Sequence, residues 1–589
     1  MASVLTILFQ KTSDEALRLA SRQGDVLAVT PLGMAQCEQL TIAYLTLDDY
    51  VSLDELRRLT FDFYGALLEL CIYLDTTVEG PCAAYNSYRA VCYPLYSAMS
   101  VARIVSTLME SISVKHEKFY LEGAPSFVPL EDSVSPKMSD HWATECFESS
   151  LKLFAKLVCA TPTCAGVTYA LPPQQNGWAH VWGRVRPFLS RVKRYVYERI
   201  SPGERTDPAA PRILVSSEHY GISALRSAMP DVELVQIDRA LNFIDQHQEH
   251  VDSKVPDRVV SFAEQWFPQY GKHFVEYFRN YHRDVIQGIP RLSAAIDTMV
   301  ASVSPSAMIV SNGFLSNVLN ICAKVCSKRG IPVLSHQHGG ILLHKVPNDF
   351  ELETRPDLNA VWLYQGRLDA EGNPNAPRHR IGNIMAWEIA NKSPQSNDRI
   401  LCVQGPNAFS FFGYVDLSDK MKHDSIKSVL NACRKQDVKL DIKAHVIDAD
   451  HNVPYYSTLM SGGDFGFVRL ISQGVIEPLL HRYPLIIISV VGSLPSTLVL
   501  GRDVPVILHA PSADDIRQDA LEPYLDRVYF SRTEEELGDL LQLFKQGRLS
   551  AKNVERAREE FLWPTEGPNP VERLASYLQT LLPEQGAGS

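Results

Sequence analysis

The feature that most constrains this chain is an alternation that recurs along it: a short apolar run, a stretch of helical periodicity, then another apolar run. RILVSSEH and VELVQID flank the helical ISALRSAM; SAMIVSNG, FLSNVLNICAKVCSKRG (closed by Gly330) and IPVLSHQHGG then follow as strand, helix and strand. A crossover helix returns the chain to pair in parallel with the strand it left. The pattern therefore predicts an α/β fold whose sheets are parallel and covered by helices on both faces.

At 589 residues the chain is too long for a single core. We read two Rossmann-like lobes. Residues 1–390 form an amino-terminal α/β lobe, opening with the strands SVLTILF, DVLAVTP and TIAYLTL. From about 51 to 200 the periodicity becomes helical, as in LDELRRLTFDFYGALLELCIYL, and is taken as a large helical insertion in that lobe. NKSPQSND (Asn391 to Asp398) is the linker, residues 398–565 the carboxyl-terminal α/β lobe, and a last helix runs to about 582. No internal repeat is visible.

The net charge of −11 argues against a nucleic-acid partner. The eleven cysteines show no CxxC pair and read as reduced, buried thiols of a cytoplasmic protein. The amino terminus, MASVLTILFQKTSDEA, lacks the basic start and long apolar core of a signal peptide. The apolar run LIIISVVGSL falls far short of the roughly 20 residues a spanning helix needs. GRVRPFLSRVKRYVYER (Gly183 to Arg199) concentrates cations among aromatics; it reads as a solvated helix face, with peripheral contact to an anionic membrane as the alternative.

In open parallel sheets, ligands sit beyond the carboxyl ends of the strands. That rule selects the segments after Leu334, Ile442 and Ser489. The first, Ser335-His336-Gln337-His338-Gly339-Gly340, offers imidazoles and a backbone that can approach an anion closely. In the second, Lys443 and His445 alternate along an extended segment and point the same way, which calls for an anionic partner. The third, Ser489 to Thr497, ends an apolar strand in Ser493, Ser496 and Thr497 before a helix starting near Pro495, the makings of a phosphate site. Asp448-Ala449-Asp450 is a DxD string of a kind common by chance, and no metal is assigned to it.

These segments, QHGG, IKAH and ISVVGSLPSTLVLGRDVPVI, together resemble the bacterial two-lobed (GT-B) glycosyltransferases of surface polysaccharides. The families in question use CMP-activated acidic sugars: capsule-type Kdo transferases and some sialyltransferases. The resemblance spans about residues 300–510 and implies a metal-independent transferase with a CMP-sugar donor as substrate and no further cofactor. It implies a glycan or glycolipid acceptor and a place in the cytoplasm, peripheral to the membrane. It makes His445 the group that stabilises the leaving phosphate, with Lys443 beside it. Ser493, Ser496 and Thr497 would hold the CMP phosphate, and His338, Gly339 and Gly340 would face the donor from the first lobe. Val446 departs from the pattern, standing where the family has proline.

Prearranged cationic and N–H donors aimed at a leaving phosphate lower the barrier to breaking a sugar–phosphate bond. The acceptor hydroxyl still needs a base, or a retaining enzyme a nucleophile; Glu218 and Asp238, at strand ends, and His336 are the candidates. CDP-glycerol-type glycerophosphotransferases share the two lobes and the histidines, but they follow HG with threonine where this chain has Gly340. Sugar-nucleotide epimerases and a non-catalytic nucleotide- or glycan-binding protein complete the alternatives.

Overall fold

A computed structural model of the chain describes residues 4–9, 11–77, 107–112, 114–124, 158, 164–169, 210–216, 222–237, 255–266, 271–272, 275, 279, 289–311, 317–337, 358–371, 377–393, 397–404, 418–444, 449–461, 463–472, 476–489, 497–511, 513 and 516–582. Its strands form three sheets, parallel throughout, of four, six and six strands.

The middle sheet holds β5 (Arg212–Val215), β6 (Glu233–Gln236), β7 (Ala307–Ser311), β8 (Val333–His336), β9 (Val361–Tyr364) and β10 (Arg378–Arg380) in the order β10-β9-β8-β7-β5-β6. The last sheet holds β11 (Arg399–Val403), β12 (Lys439–Lys443), β13 (Val468–Ile471), β14 (Ile486–Ile488), β15 (Val506–His509) and β16 (Tyr529–Ser531) in the order β13-β12-β11-β14-β15-β16. In each, the first strand in sequence has its successors on opposite sides. That doubly wound arrangement places a switch point beside β5 and another beside β11. The expected fold class, α/β with two Rossmann-like lobes, is what these sheets make.

Continuous apolar strands such as Ile486-Ile487-Ile488 are fully buried because both sheet faces are covered. One face of the last sheet packs Leu401, Ile486, Ile488 and Val506 against Leu498, Tyr524 and Phe561; the other packs Ile400, Leu440, Ile487 and Ile507 against the helix Asp419–Lys435. Register here is pinned by Asp441, buried on β12. It accepts from Arg399 on β11, from Arg469 Nε on β13 at 3.0 Å and from Tyr483 Oη at 2.9 Å.

The amino-terminal residues depart from expectation. β1 (Val4–Leu8) and β2 (Asp25–Ala28) do not join the six-stranded sheet. They pair with β3 (Lys118–Ala124) and β4 (Cys164–Tyr169) in a separate sheet of order β2-β1-β3-β4. The stretch read as a helical insertion thus holds the long helix Leu53–Thr77, as expected, and two strands besides. The run TIAYLTL is not a strand: Leu45 makes a single bridge to Leu27, and a capping box between Thr46 and Asp49 turns the chain into a short 3-10 helix. Phe63 of the long helix packs on Phe262 and Trp266, joining this sheet's core to one face of the middle sheet.

Two further crossings tie the units together. The helix Pro31–Gln39 places Leu32 and Ala35 in the core of the last sheet. Beside them Glu38 accepts from Lys427 Nζ at 2.7 Å and Tyr44 Oη at 3.0 Å, and lies 3.2 Å from His423 Nε2. The helix Pro570–Gln579, which follows the last sheet in sequence, buries Val571, Leu574, Ala575 and Leu578 on Ile213, Val215 and Leu334 of the middle sheet.

Candidate functional site

The switch point of the last sheet is built from two strand ends. Gln404 follows β11 and Ser489 follows β14; both are buried, and Ser489 Oγ donates to Gln404 Oε1 at 2.9 Å while Gln404 Nε2 reaches Cys402 Sγ at 3.0 Å. On the other side of β11, Lys443 ends β12, paired in register with Val403 and Ile471. Lys443 is buried, and among the described residues its Nζ makes one hydrogen bond, to the Ala444 carbonyl oxygen at 2.6 Å. Burial lowers its pKa, and nearby Glu477 works in the opposite direction. Glu477 opens the turn after β13, and its Oε2 is buried without a hydrogen bond. A buried ammonium at the carboxyl end of a central strand and a buried carboxylate oxygen that acts on it through charge are thus left for a ligand to meet. A bound group offering an acceptor to Lys443 and a hydroxyl or amide donor to Glu477 would complete both.

Thr497, the one of the three expected phosphate ligands Ser493, Ser496 and Thr497 that is among the described residues, is buried in the first turn after the predicted phosphate loop. The carbonyl end of the same turn is held by a buried arginine. Arg527 Nε donates to Leu500 O at 2.7 Å, and its Nη2 to Arg502 O at 2.6 Å and Val504 O at 3.1 Å. Burial pushes its guanidinium down to about 10. Arg502 carries the anchoring outward, donating to Ile389 O and His481 O, both at 3.1 Å.

On the middle sheet, β8 runs two residues beyond Leu334, so His336 lies within the strand, in register with Ser311 and Leu363. Its complete burial holds the imidazole neutral, with a pKa lowered to about 4. Gln337 follows, buried and tied to β9: Gln365 N donates to Gln337 Oε1 at 3.0 Å and Gln365 Nε2 to Gln337 O at 2.9 Å. His338, Gly339, Gly340, Glu218, Asp238, His445, Ser493 and Ser496, with Val446 and the basic stretch 183–199, lie outside the described residues. Of the DxD string, Ala449 and Asp450 begin the helix Ala449–Met460. Among the described residues no group of three or more His, Cys, Asp or Glu is placed to hold a metal ion.

Of the expected site residues, then, Lys443 and Thr497 belong to strand ends or turns of the last sheet. Gln404, Glu477 and Gln365 were not anticipated. Gln404 had a legible signal, since LCVQGP ends an apolar strand in a polar residue before Gly-Pro, as Ser489 and Lys443 end theirs. A cavity of about 190 Å³ lies elsewhere, lined by Glu38, Lys427, Arg434 and Phe465 near the amino ends of β12 and β13. Its position is wrong for chemistry at the strand carboxyl ends.

No protein-family profile matches the chain, and no curated protein matches it. Among solved structures it is similar to the UDP-GlcNAc 2-epimerase of Methanocaldococcus jannaschii, at 13% identity and a TM-score of 0.37, over 63% of this chain and 99% of that one. The UDP-GlcNAc 2-epimerase of Neisseria meningitidis bound to UDP-GlcNAc matches at 10% identity and 0.35, over 63% and 99%. MurG of Acinetobacter baumannii matches at 13% and 0.34, over the same shares. At such scores the description of this chain rests on its own sheets and side chains.

Proposed function

We propose that this protein is a glycosyltransferase that takes a nucleotide-activated sugar at the carboxyl ends of β11, β12 and β14, with a CMP-activated acidic sugar as donor and a bacterial surface glycan or glycolipid as acceptor. The observation that carries the reading is the buried Lys443, whose Nζ meets only the Ala444 carbonyl oxygen among the described residues, within the charge influence of Glu477 and one strand from the Gln404–Ser489 pair. A leaving phosphate gathers negative charge as the sugar–phosphate bond breaks, and a fixed, poorly hydrated ammonium stabilises that charge more than the ground state. The reading includes His445 as a second donor to that phosphate. It also includes Ser493, Ser496 and Thr497 as phosphate ligands, His338, Gly339 and Gly340 facing the donor, and Glu218 or Asp238 as the base. It invokes no metal, and it places the enzyme in the cytoplasm, peripheral to the membrane. Among the described residues no helix is long and apolar enough to cross a membrane.

Thermal-shift titration of the whole protein with CMP, CDP, UDP and GDP tests it, alongside Lys443→Gln. A ligand bound only by the native state at a hundredfold excess over Kd adds about 2.7 kcal/mol. Selective stabilisation by CMP, weakened at least about tenfold in the variant, supports the donor assignment. Stabilisation by UDP or GDP instead keeps nucleotide-sugar transfer and overturns the CMP donor; no response to any nucleotide overturns the reading.

A further inference from the structure

The cavity near the amino ends of β12 and β13 holds polar groups that the chemistry above does not use. It measures about 190 Å³ and lies where the helix Pro31–Gln39 meets the helices Asp419–Lys435 and Ala449–Met460 of the last sheet. Glu38 is spent on one side only. Its Oε1 accepts from Lys427 Nζ at 2.7 Å and Tyr44 Oη at 3.0 Å and lies 3.2 Å from His423 Nε2, while its Oε2 meets no donor among the described residues. Thr458, another lining residue, is only 5% exposed. Its hydroxyl has no hydrogen-bond partner among the described residues; the bonds from Ser461 go to its carbonyl oxygen.

The third group is Arg434. Its guanidinium lies over the ring of Phe465, 5.8 Å from the centroid, and its Nη2 donates to Asn431 Oδ1 at 3.2 Å. Lys427 has Glu38 and the adjacent Lys435 has Glu534, so among the described residues Arg434 is the cation here left without a carboxylate contact. These groups make different demands. A guanidinium set on an aromatic face takes a carboxylate in two parallel hydrogen bonds. The Glu38 oxygen needs an uncharged donor, and the Thr458 hydroxyl can give or take. Acetate would satisfy Arg434 and leave Glu38 unmet; a neutral sugar would do the reverse. The ammonium of an amino acid would stand beside Lys427, which holds the other oxygen of the same carboxylate. A carboxylate with hydroxyls alongside it meets all three demands.

We propose that this cavity is a second binding site, for a single sugar acid, whose carboxylate pairs with Arg434 and whose hydroxyls meet Thr458 and the Oε2 of Glu38. The cavity is smaller than the roughly 300–1,000 Å³ clefts that enclose drug-sized ligands, which limits the occupant to about one sugar ring. Its walls come from the helix Pro31–Gln39, between β1 and β3 of the four-stranded sheet, and from two helices of the last lobe. An occupied site therefore ties those two units together. It stands at the opposite end of β12 from Lys443, and it does not rest on the nucleotide reading.

Saturation-transfer NMR on the whole protein, with sodium glucuronate as the probe and no nucleotide present, tests the site. Glucose, acetate and glycine are the comparison ligands. Glucuronate is expected to bind in the millimolar range, and about tenfold more tightly than any of the three. Arg434→Gln should weaken it by about tenfold and Thr458→Val by about threefold, since each removes one partner of the ligand. Arg434 is exposed, so its replacement should leave Tm unchanged. Thr458→Val keeps the side chain's shape and serves as the second variant should the first misfold. Glucuronate binding in Lys443→Gln should match the wild type, which separates this site from the strand ends that take the nucleotide. Binding that survives Arg434→Gln and Thr458→Val, binding lost in Lys443→Gln, equal binding of glucose, acetate or glycine, or no binding of glucuronate overturns the proposal. The nucleotide titration can fail while this site stands, and this site can fail while the titration succeeds.

Discussion

Asp441 shows how one side chain can serve the site without entering it. It sits on the same strand and face as Lys443, two residues earlier, and takes donors from Arg399, Arg469 and Tyr483. Burial works against its charge, but the hydrogen bonds from Arg469, Arg399 and Tyr483 prevail and hold its pKa below the usual carboxylate value. The stability it contributes is therefore present above the ordinary carboxylate range and lost as pH falls below it. Asp441→Asn should cost about 3 kcal/mol, because Arg399 is left partly buried without its countercharge. Urea unfolding at pH 7 checks this, and the difference from wild type should shrink toward pH 3. Lys443→Gln should be far milder in stability and severe in nucleotide affinity, since its burial already disfavours the charge that it brings to the site.

Among the elements, the turn Thr497–Gly501 is held at its carbonyl end by Arg527, whose Nε and Nη2 satisfy carbonyls of Val499, Leu500, Arg502 and Val504. Arg527→Met leaves buried acceptors without donors, which should cost about 3 kcal/mol and lower Tm by a few degrees. Differential scanning calorimetry with and without nucleotide would show both the loss and a weaker ligand response. The helix Pro31–Gln39 presents a second case. For Glu38, burial favours the neutral acid, but the nearby His423 ring and the hydrogen bond from Lys427 win and lower its pKa to about 2. Its contribution is complete above pH 4.5 and lost as pH falls toward 2, so urea midpoints measured over that range should slope in the wild type and be flatter in Glu38→Gln.

Elements were legible in the sequence where a local signal sufficed. β8, β12 and β14 announced themselves as apolar runs closing in polar residues, and their carboxyl ends carry Gln337, Lys443 and Ser489. β3 and β4 did not, because KFYLEGA and CAGVTY are short runs amid helical periodicity whose parallel partners lie far away in the chain. Glu38 could not be read at all: Lys427 is 389 residues distant, and no spacing rule reaches that far. Asp369 is similar. Nothing in QGRLDAEG marks its aspartate as buried until Gly366 and the 558–562 segment are folded around it.

At the scale of the whole molecule, the lobes are bound by chain crossings more than by one interface. Ala386 and Ile389, before the linker, pack in the core of the last sheet, and the helix Pro570–Gln579, after it, packs on the middle sheet. Removing residues 569–589 should expose Ile213, Val215 and Leu334. The truncated chain is expected to bind a hydrophobic dye and melt with a first transition well below the wild-type Tm; an unchanged single transition would count against that helix as part of the core. The covering helix also sets a timetable during biosynthesis. The whole carboxyl-terminal lobe is translated between the strands of the middle sheet and the helix that shields one of their faces. Until then that apolar face has only water or a chaperone to meet it, so newly made chains should depend on holdase protection far more than the finished protein does.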